Sequence, residues 1–261
     1  MGHKIKKAQA AIWIILALFL IISIVLFFLL WDRSVVDFIP KDTSPFSAES
    51  YLSSCVGLEV RRATSVLLPQ GGFLEPTNYR LFNKTSVTYI CETKSYFEPC
   101  INQHPMLVSE IEKEIFNFIS PGVDSCINEM RHEVERRGGE VLMDTGPISM
   151  SVELGFDRVV VRINKGMEIT EREMKRSFEG FVIETRSSVY NLAVIAQDIA
   201  NQEALFCYFE TAGFNLAYPR YQAVRRILSD QSKIYILTDK QTSEKMMIAV
   251  RSCALPEGMP G

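Results

Sequence analysis

Histidine and tryptophan are the scarce residues of this 261-residue chain, which has three of the first and two of the second. The histidines, His3, His104 and His132, stand in no H-x-x-x-H or H-E-x-x-H array, so the helical spacing of a catalytic zinc site is missing. No C-x-x-C pair occurs either. Cys100 with His104, or Cys126 with His132, would supply only half of the ligands that a closed zinc site takes. The G-x-S-x-G elbow, the P-loop and the G-x-G-x-x-G turn are absent as well, and no cofactor is expected. Nor does one sign of charge dominate: 28 basic against 31 acidic residues give a net charge of -3, which offers nothing to nucleic acid. The arginine pairs at 61–62, 136–137 and 225–226 lie near acids and read as solvated helix faces.

Charge is missing most completely from residues 10–31, where Ser23 is the one polar residue. At about 1.5 Å rise per residue this run covers a hydrocarbon layer of roughly 30 Å, which the ~7–15-residue core of a cleaved export signal would not. Trp13 and Trp31 would stand about 27 Å apart on such a helix, the separation of the two interfacial belts. Lys4, Lys6 and Lys7 precede the run without an acid, whereas Asp32, Arg33, Asp37, Lys41 and Asp42 follow it in mixed sign. The positive-inside rule then leaves the N-terminus in the cytoplasm. The expected organisation is a basic N-terminus (residues 1–9), a helix through the lipid bilayer (10–31), a linker (32–46) and an exported domain (47–261). All six cysteines, Cys55, Cys91, Cys100, Cys126, Cys207 and Cys253, lie beyond the span, as disulfide bonding in an oxidising compartment requires.

Periodicity in the exported part predicts an α+β fold with antiparallel sheet. A helix is expected over residues 47–68, stopped by Pro69-Gln70-Gly71-Gly72, then strands at 78–82 and 86–91 joined through Asn83-Lys84-Thr85-Ser86. Residues 107–119 are amphipathic, and Ser120-Pro121 reads as the N-cap and first position of a new helix that Gly138-Gly139 ends. Near residue 138 the domain would divide into a helical half and a sheet-rich half. Strands at 149–154 and 158–164 form a hairpin, extended by 167–169. Thr170-Glu171-Arg172-Glu173 fits a capping box. The helix it opens, carrying Met174, Phe178, Phe181, Val189, Leu192, Ala196 and Ile199, is expected to be the longest outside the membrane. Strands at 206–210, 233–237 and 246–251 complete the chain.

Two of the helices carry one cysteine each toward a buried face, which makes Cys55–Cys126 the first choice of bridge. Cys91 with Cys100 would tie one loop, and Cys207 with Cys253 would pin the C-terminal segment to the sheet. A glycosidase needs two carboxylates facing across a cleft. Glu110, Glu112, Glu114, Glu133, Glu135, Glu171 and Glu173 read instead as helix-surface residues, so no catalytic residue is assigned and an enzyme is not expected. Asn83, in the sequon Asn83-Lys84-Thr85 at an exported hairpin tip, is a candidate for N-glycosylation.

The stretch Lys6-Lys7-Ala8-Gln9 followed by AAIWII resembles the class III signal peptides of archaeal type IV pilins and archaellins. That likeness implies cleavage between Ala8 and Gln9 and a hydrophobic stem able to pack into a filament. Trp13 departs from the pattern, since many pilins carry glutamate there. Cys55-Val56, the LLPQGGF run at 67–73, Cys126-Ile127 and the tail from Ala249 are similar to a family of archaeal membrane-anchored surface proteins without an assigned activity. The resemblance implies an exported, disulfide-linked, surface-displayed protein. The leading expectation is a non-catalytic cell-surface or envelope protein acting in display, adhesion or assembly, with a homo-oligomer, a filament or envelope components as partners. An envelope-polymer hydrolase would instead show facing carboxylates of perturbed pKa, and a ligand sensor or transport accessory a concave apolar pocket bordered by the long helix.

Overall fold

The structure, a computed structural model, describes residues 16–27, 46–95 and 97–253. Contacts separate two compact units, Met1–Pro45 and Phe46–Gly261. In the first, residues 16–27 are helical and exposed, and Ser23 Oγ donates to the Leu20 carbonyl at 2.9 Å. The remainder of the expected span, with Trp13, Trp31 and the Ala8–Gln9 junction, lies outside the described residues. Among the described residues no helix is long and apolar enough to cross a membrane.

The second unit is an α+β fold. Helix α1 (Ala48–Leu67) starts where Ser47 Oγ accepts the Ser50 amide at 3.2 Å. Its Leu52, Val56, Val60, Ala63 and Leu67, three or four apart, are fully buried. A 3-10 turn at Leu68–Gln70 and the left-handed Gly71 and Gly72 end it. At Gly72 (φ 99°) a Cβ would come within 2.5 Å of Ile111 Cγ1, so the next helix approaches here only because the side chain is missing. A hairpin follows, β1 (Tyr79–Phe82) and β2 (Thr85–Glu92), turned by Asn83 and Lys84, both at positive φ. The short β3 (Ile101–Asn102) pairs with β2.

Helix α2 (Leu107–Arg136) runs unbroken through Pro121, which corrects the expected restart at Ser120-Pro121. Ser120 Oγ bonds back to the Phe116 carbonyl at 2.6 Å, while Ile111, Ile115, Ile119, Val123, Ile127, Met130 and Val134 hold one buried stripe across the proline. An interior proline costs about 3 kcal/mol. Burying the side chains on either side returns ~1.5–3 kcal/mol each, so packing wins.

Beyond Gly138 come β4 (Glu140–Met143), β5 (Ser149–Gly155), β6 (Arg158–Asn164), β7 (Met167–Glu171), β8 (Met174–Phe178) and β9 (Phe181–Arg186). They form two three-stranded antiparallel sheets, β4-β7-β8 and β5-β6-β9. The expected capping box at 170–173 is instead the turn of the β7–β8 hairpin, with Arg172 at φ 58° and Glu171 opposite Met174. In β9, Phe181, Ile183 and Thr185 are buried while Val182, Glu184 and Arg186 face solvent, a period of two that the helical reading overlooked. Helix α3 therefore spans only Val189–Phe206, and α2 is longer.

Cys207, left-handed at φ 57°, ends α3, and the short α4 (Thr211–Ala217) is capped by Glu210, whose carboxylate accepts the Ala212 amide at 2.8 Å. The strand expected at 206–210 does not form. In its place β10 (Tyr221–Ile227) appears, beside β11 (Lys233–Asp239) and β12 (Lys245–Arg251). The main sheet is ordered β1-β2-β12-β11-β10, antiparallel except that β12 runs parallel to β2. Strands from before and after residue 138 thus share one sheet, and one buried cluster joins Val60, Ile127, Val161, Ile183, Leu192 and Ile248. A division into helical and sheet-rich halves near 138 is not what forms. Three bridges tie the fold, Cys55–Cys126 between α1 and α2, Cys91–Cys100, and Cys207–Cys253.

Candidate functional site

The polar centre of the domain is Arg220, just before β10. Its Nη1 donates to Asp157 Oδ2 at 2.8 Å and its Nη2 reaches Asp157 Oδ1, while Nε and Nη2 hold Asp239 at 3.1 and 2.6 Å. Asp157 is at φ 59° in the two-residue turn between β5 and β6, a conformation that aspartate tolerates. Asn191 on α3 completes the frame: its Nδ2 donates to Asp157 Oδ1 at 2.8 Å and to Tyr221 Oη at 2.6 Å. The guanidinium also lies 5.8 Å from the Phe156 ring centroid and 5.1 Å from that of Tyr221.

Arg220, as hydrogen-bond donor, holds the Asp157 carboxyl below the ordinary aspartate range. At Asp239 burial pushes upward, but Arg220 and the Gln241 amide outweigh it and the net direction is again down. Both aspartates thus bind protons less readily folded than unfolded. The stability this supplies is complete above the ordinary value of 3.8 and is lost as pH falls through the lower folded values. We expect Arg220→Met to cost about 2–3 kcal/mol at pH 7. It should also flatten the fall in urea midpoint between pH 5 and pH 2.5, as unfolding monitored by circular dichroism would show.

Beside this frame opens a cleft of about 420 Å³. One face of α3 supplies Tyr190, Val194, Ile195 and Asp198, α4 and its C-cap supply Phe214 and Tyr218, and Phe156 and Tyr221 close it. The α3 residues recur at helical steps, and Phe214 and Tyr218 stand one turn apart with ring centroids 5.1 Å from each other. Asn215 fixes α4 to β10 through both of its amide atoms, to Ala223 N at 2.7 Å and Ala223 O at 3.0 Å. Phe156 and Tyr218 are 69 % and 57 % exposed, a large aromatic surface for positions so firmly anchored. Asp198 keeps one carboxylate oxygen free, the other accepting Gln202 Nε2 at 3.1 Å.

The sequence-derived candidates do not converge here. His104 Nδ1 meets Glu110 at 2.5 Å and His132 meets Glu135 at 3.3 Å, both apart from any thiol, since Cys100 and Cys126 are in bridges. Among the described residues no group of three or more His, Cys, Asp or Glu could hold a metal. Glu112 and Glu114, read as solvated, instead accept the Leu154 and Leu74 amides at 2.8 and 3.1 Å. Glu171 accepts the Phe46 amide at 3.1 Å, and Glu133 binds Arg137 at 2.9 Å. Of the arginine pairs, Arg62 joins Glu59 at 2.7 Å as expected, but Arg225 and Arg226 lie on a strand, with Arg225 4.6 Å from the centroid of the Tyr208 ring. Asn83 is exposed at its hairpin tip. Arg220, Asp157 and Asp239 were missed because they are 63 and 19 residues from one another in sequence and belong to no local motif. The one available signal was the aromatic pair Tyr218–Tyr221 flanking Pro219-Arg220. Comparison with protein-family models, with curated proteins and with solved structures finds no match to this chain.

Proposed function

We propose that the chain is a membrane-anchored extracytoplasmic protein, its N-terminus cytoplasmic, acting without catalysis in display, adhesion or assembly at the cell surface. The observation that carries this reading is the pairing of all six cysteines in the folded unit, with none on the N-terminal side of Cys55. The uncharged run at 10–31 supports the anchor. Whole, wall-stripped cells treated with a membrane-impermeant maleimide test it. Labelling should require prior reduction, and external protease should digest the domain. Ready labelling without reductant, or full protection from protease, overturns the proposal. Cleavage before Gln9 would place the chain among pilin-like subunits, and the mass of the mature N-terminus reads this directly.

The aromatic cleft favours a second reading, a ligand-binding sensor or transport accessory domain, because α3 borders a concave apolar surface with few polar groups. Asp198, the one charged residue on the cleft wall, suits a small organic cation held on aromatic walls. Phenethylammonium should shift the Tyr190, Tyr218 and Tyr221 ring resonances saturably, with affinity about tenfold weaker in Tyr218→Ala. No shift at millimolar ligand removes this reading. For a hydrolase, Asp157 and Asp239 are poor candidates, since both are clamped by Arg220 and held ionised.

A further inference from the structure

Sharing no lining residue with the aromatic cleft, α1, the turn after it, the end of β9 and the β11–β12 loop line a larger cleft of about 680 Å³. Arg61, Arg186 and Lys245 project on it from three elements. Many arginines elsewhere in the fold meet carboxylates, as Arg62 meets Glu59 at 2.7 Å and Arg162 meets Glu153 at 3.0 Å, and Arg225 instead lies over the Tyr208 ring. Arg61, Arg186 and Lys245 have no such partner among the described residues.

The single acid lining the cleft is already committed. Glu244 accepts Ser187 Oγ and Ser188 Oγ, each at 2.7 Å, together with the Ser188 amide, so its charge is directed at the N-terminus of α3. Two of the elements that carry the cations, α1 and β9, pack closely. Gly57 is buried in mid-helix, and a Cβ there would stand 3.3 Å from Thr185 Oγ1 and 3.6 Å from Arg61 Nη1. The bare α1 backbone at this point lets the helix lie close to β9, and Arg61 and Arg186, one from each element, line the same cleft. Ser243, at φ 64° on the loop, adds a hydroxyl donor at the rim.

Three cations on one cleft against a single, already engaged carboxylate leave positive charge in excess, and an incoming anion relieves the repulsion among them. Two guanidinium forks match the oxygen geometry of a tetrahedral oxyanion better than that of a halide or a flexible amide. We propose that this cleft binds a doubly charged oxyanion of the phosphate class, carried either by a soluble ligand or by a lipid headgroup. The site is independent of the aromatic cleft, and its success or failure leaves the surface-display reading untouched.

Calorimetric titration of the full-length chain in neutral detergent, with inorganic pyrophosphate in one arm and short-chain dibutanoyl phosphatidic acid in the other, tests the proposal. Saturable binding is expected, weakened about tenfold or more in Arg61→Gln/Arg186→Gln and unchanged in Lys113→Gln, an exposed lysine on α2. Affinity should fall as sodium chloride rises from 50 to 300 mM, as screening requires. The tighter of the two probes identifies the source of the phosphate group. Variants are compared only where thermal unfolding matches wild type, and Lys245→Gln, at the exposed start of β12, gives an independent test if the arginine pair disturbs folding. Absence of saturable binding by both probes, or equal affinity in wild type and the charge-removing variants, overturns the assignment.

Discussion

Glu203→Ala should lower the unfolding free energy of the domain by about 3–5 kcal/mol. Glu203 is wholly buried on α3, where Oε2 accepts Lys233 Nζ at 2.6 Å and Oε1 accepts the Tyr235 hydroxyl. Lys233 also donates to the Cys207 carbonyl at 2.6 Å, and the Glu203 carbonyl accepts Ser252 Oγ at 3.0 Å. Burial pushes the Lys233 amine below the usual lysine range while Glu203 works against it, and burial pushes the Tyr235 phenol upward. Removing the carboxylate leaves an ammonium in an apolar setting with one carbonyl for company. Replacing both partners, in Glu203→Gln/Lys233→Met, should recover more than half of the loss because no charge is then left alone. Urea unfolding of the wild type and the two variants at pH 7 checks this. A loss under 1 kcal/mol for Glu203→Ala would mean that water reaches the pair.

The second large effect concerns Cys55 and Cys126. Their bridge closes 71 residues, against 9 for Cys91–Cys100. Loop-closure entropy gives about 4 kcal/mol for the first and roughly 2.5 kcal/mol for the second. Paired serine substitutions should reproduce this ranking in urea midpoints, with the Cys207–Cys253 pair, 46 residues apart, close to the first. Equal losses for all three pairs would show that the unfolded chain retains structure around the cysteines and that loop length does not govern the effect.

Much of the fold was legible where one signal acted alone. Ser47 with the buried stripe of α1, Asn83-Lys84 between β1 and β2, and the polar connection before β12 all carry local chemistry that fixes the element. The cysteines of α1 and α2 sit on faces recognisable from helical spacing, and the structure joins them. Legibility failed where two periods coexist. Met174, Phe178 and Phe181 stand at steps of four and three, yet Gly180 and the alternation from Phe181 to Arg186 place them on strands. Pro121 misled in the opposite sense, because burial along α2 outweighs a local breaker. β10 escaped notice since its Gln222, Arg225 and Arg226 dilute the apolar pattern, and the Arg220 frame assembles from four distant segments that no window of sequence contains.

The parallel pairing of β12 with β2 has a bearing on biogenesis. Residues 245–251 slot between a strand made early and one made just before, so the sheet cannot close until these residues have been made. A chain stalled short of that point would present two open strand edges and an unmated Cys207 thiol. Those two features would give a chaperone or thiol oxidoreductase a chemical signature for telling unfinished copies from finished ones.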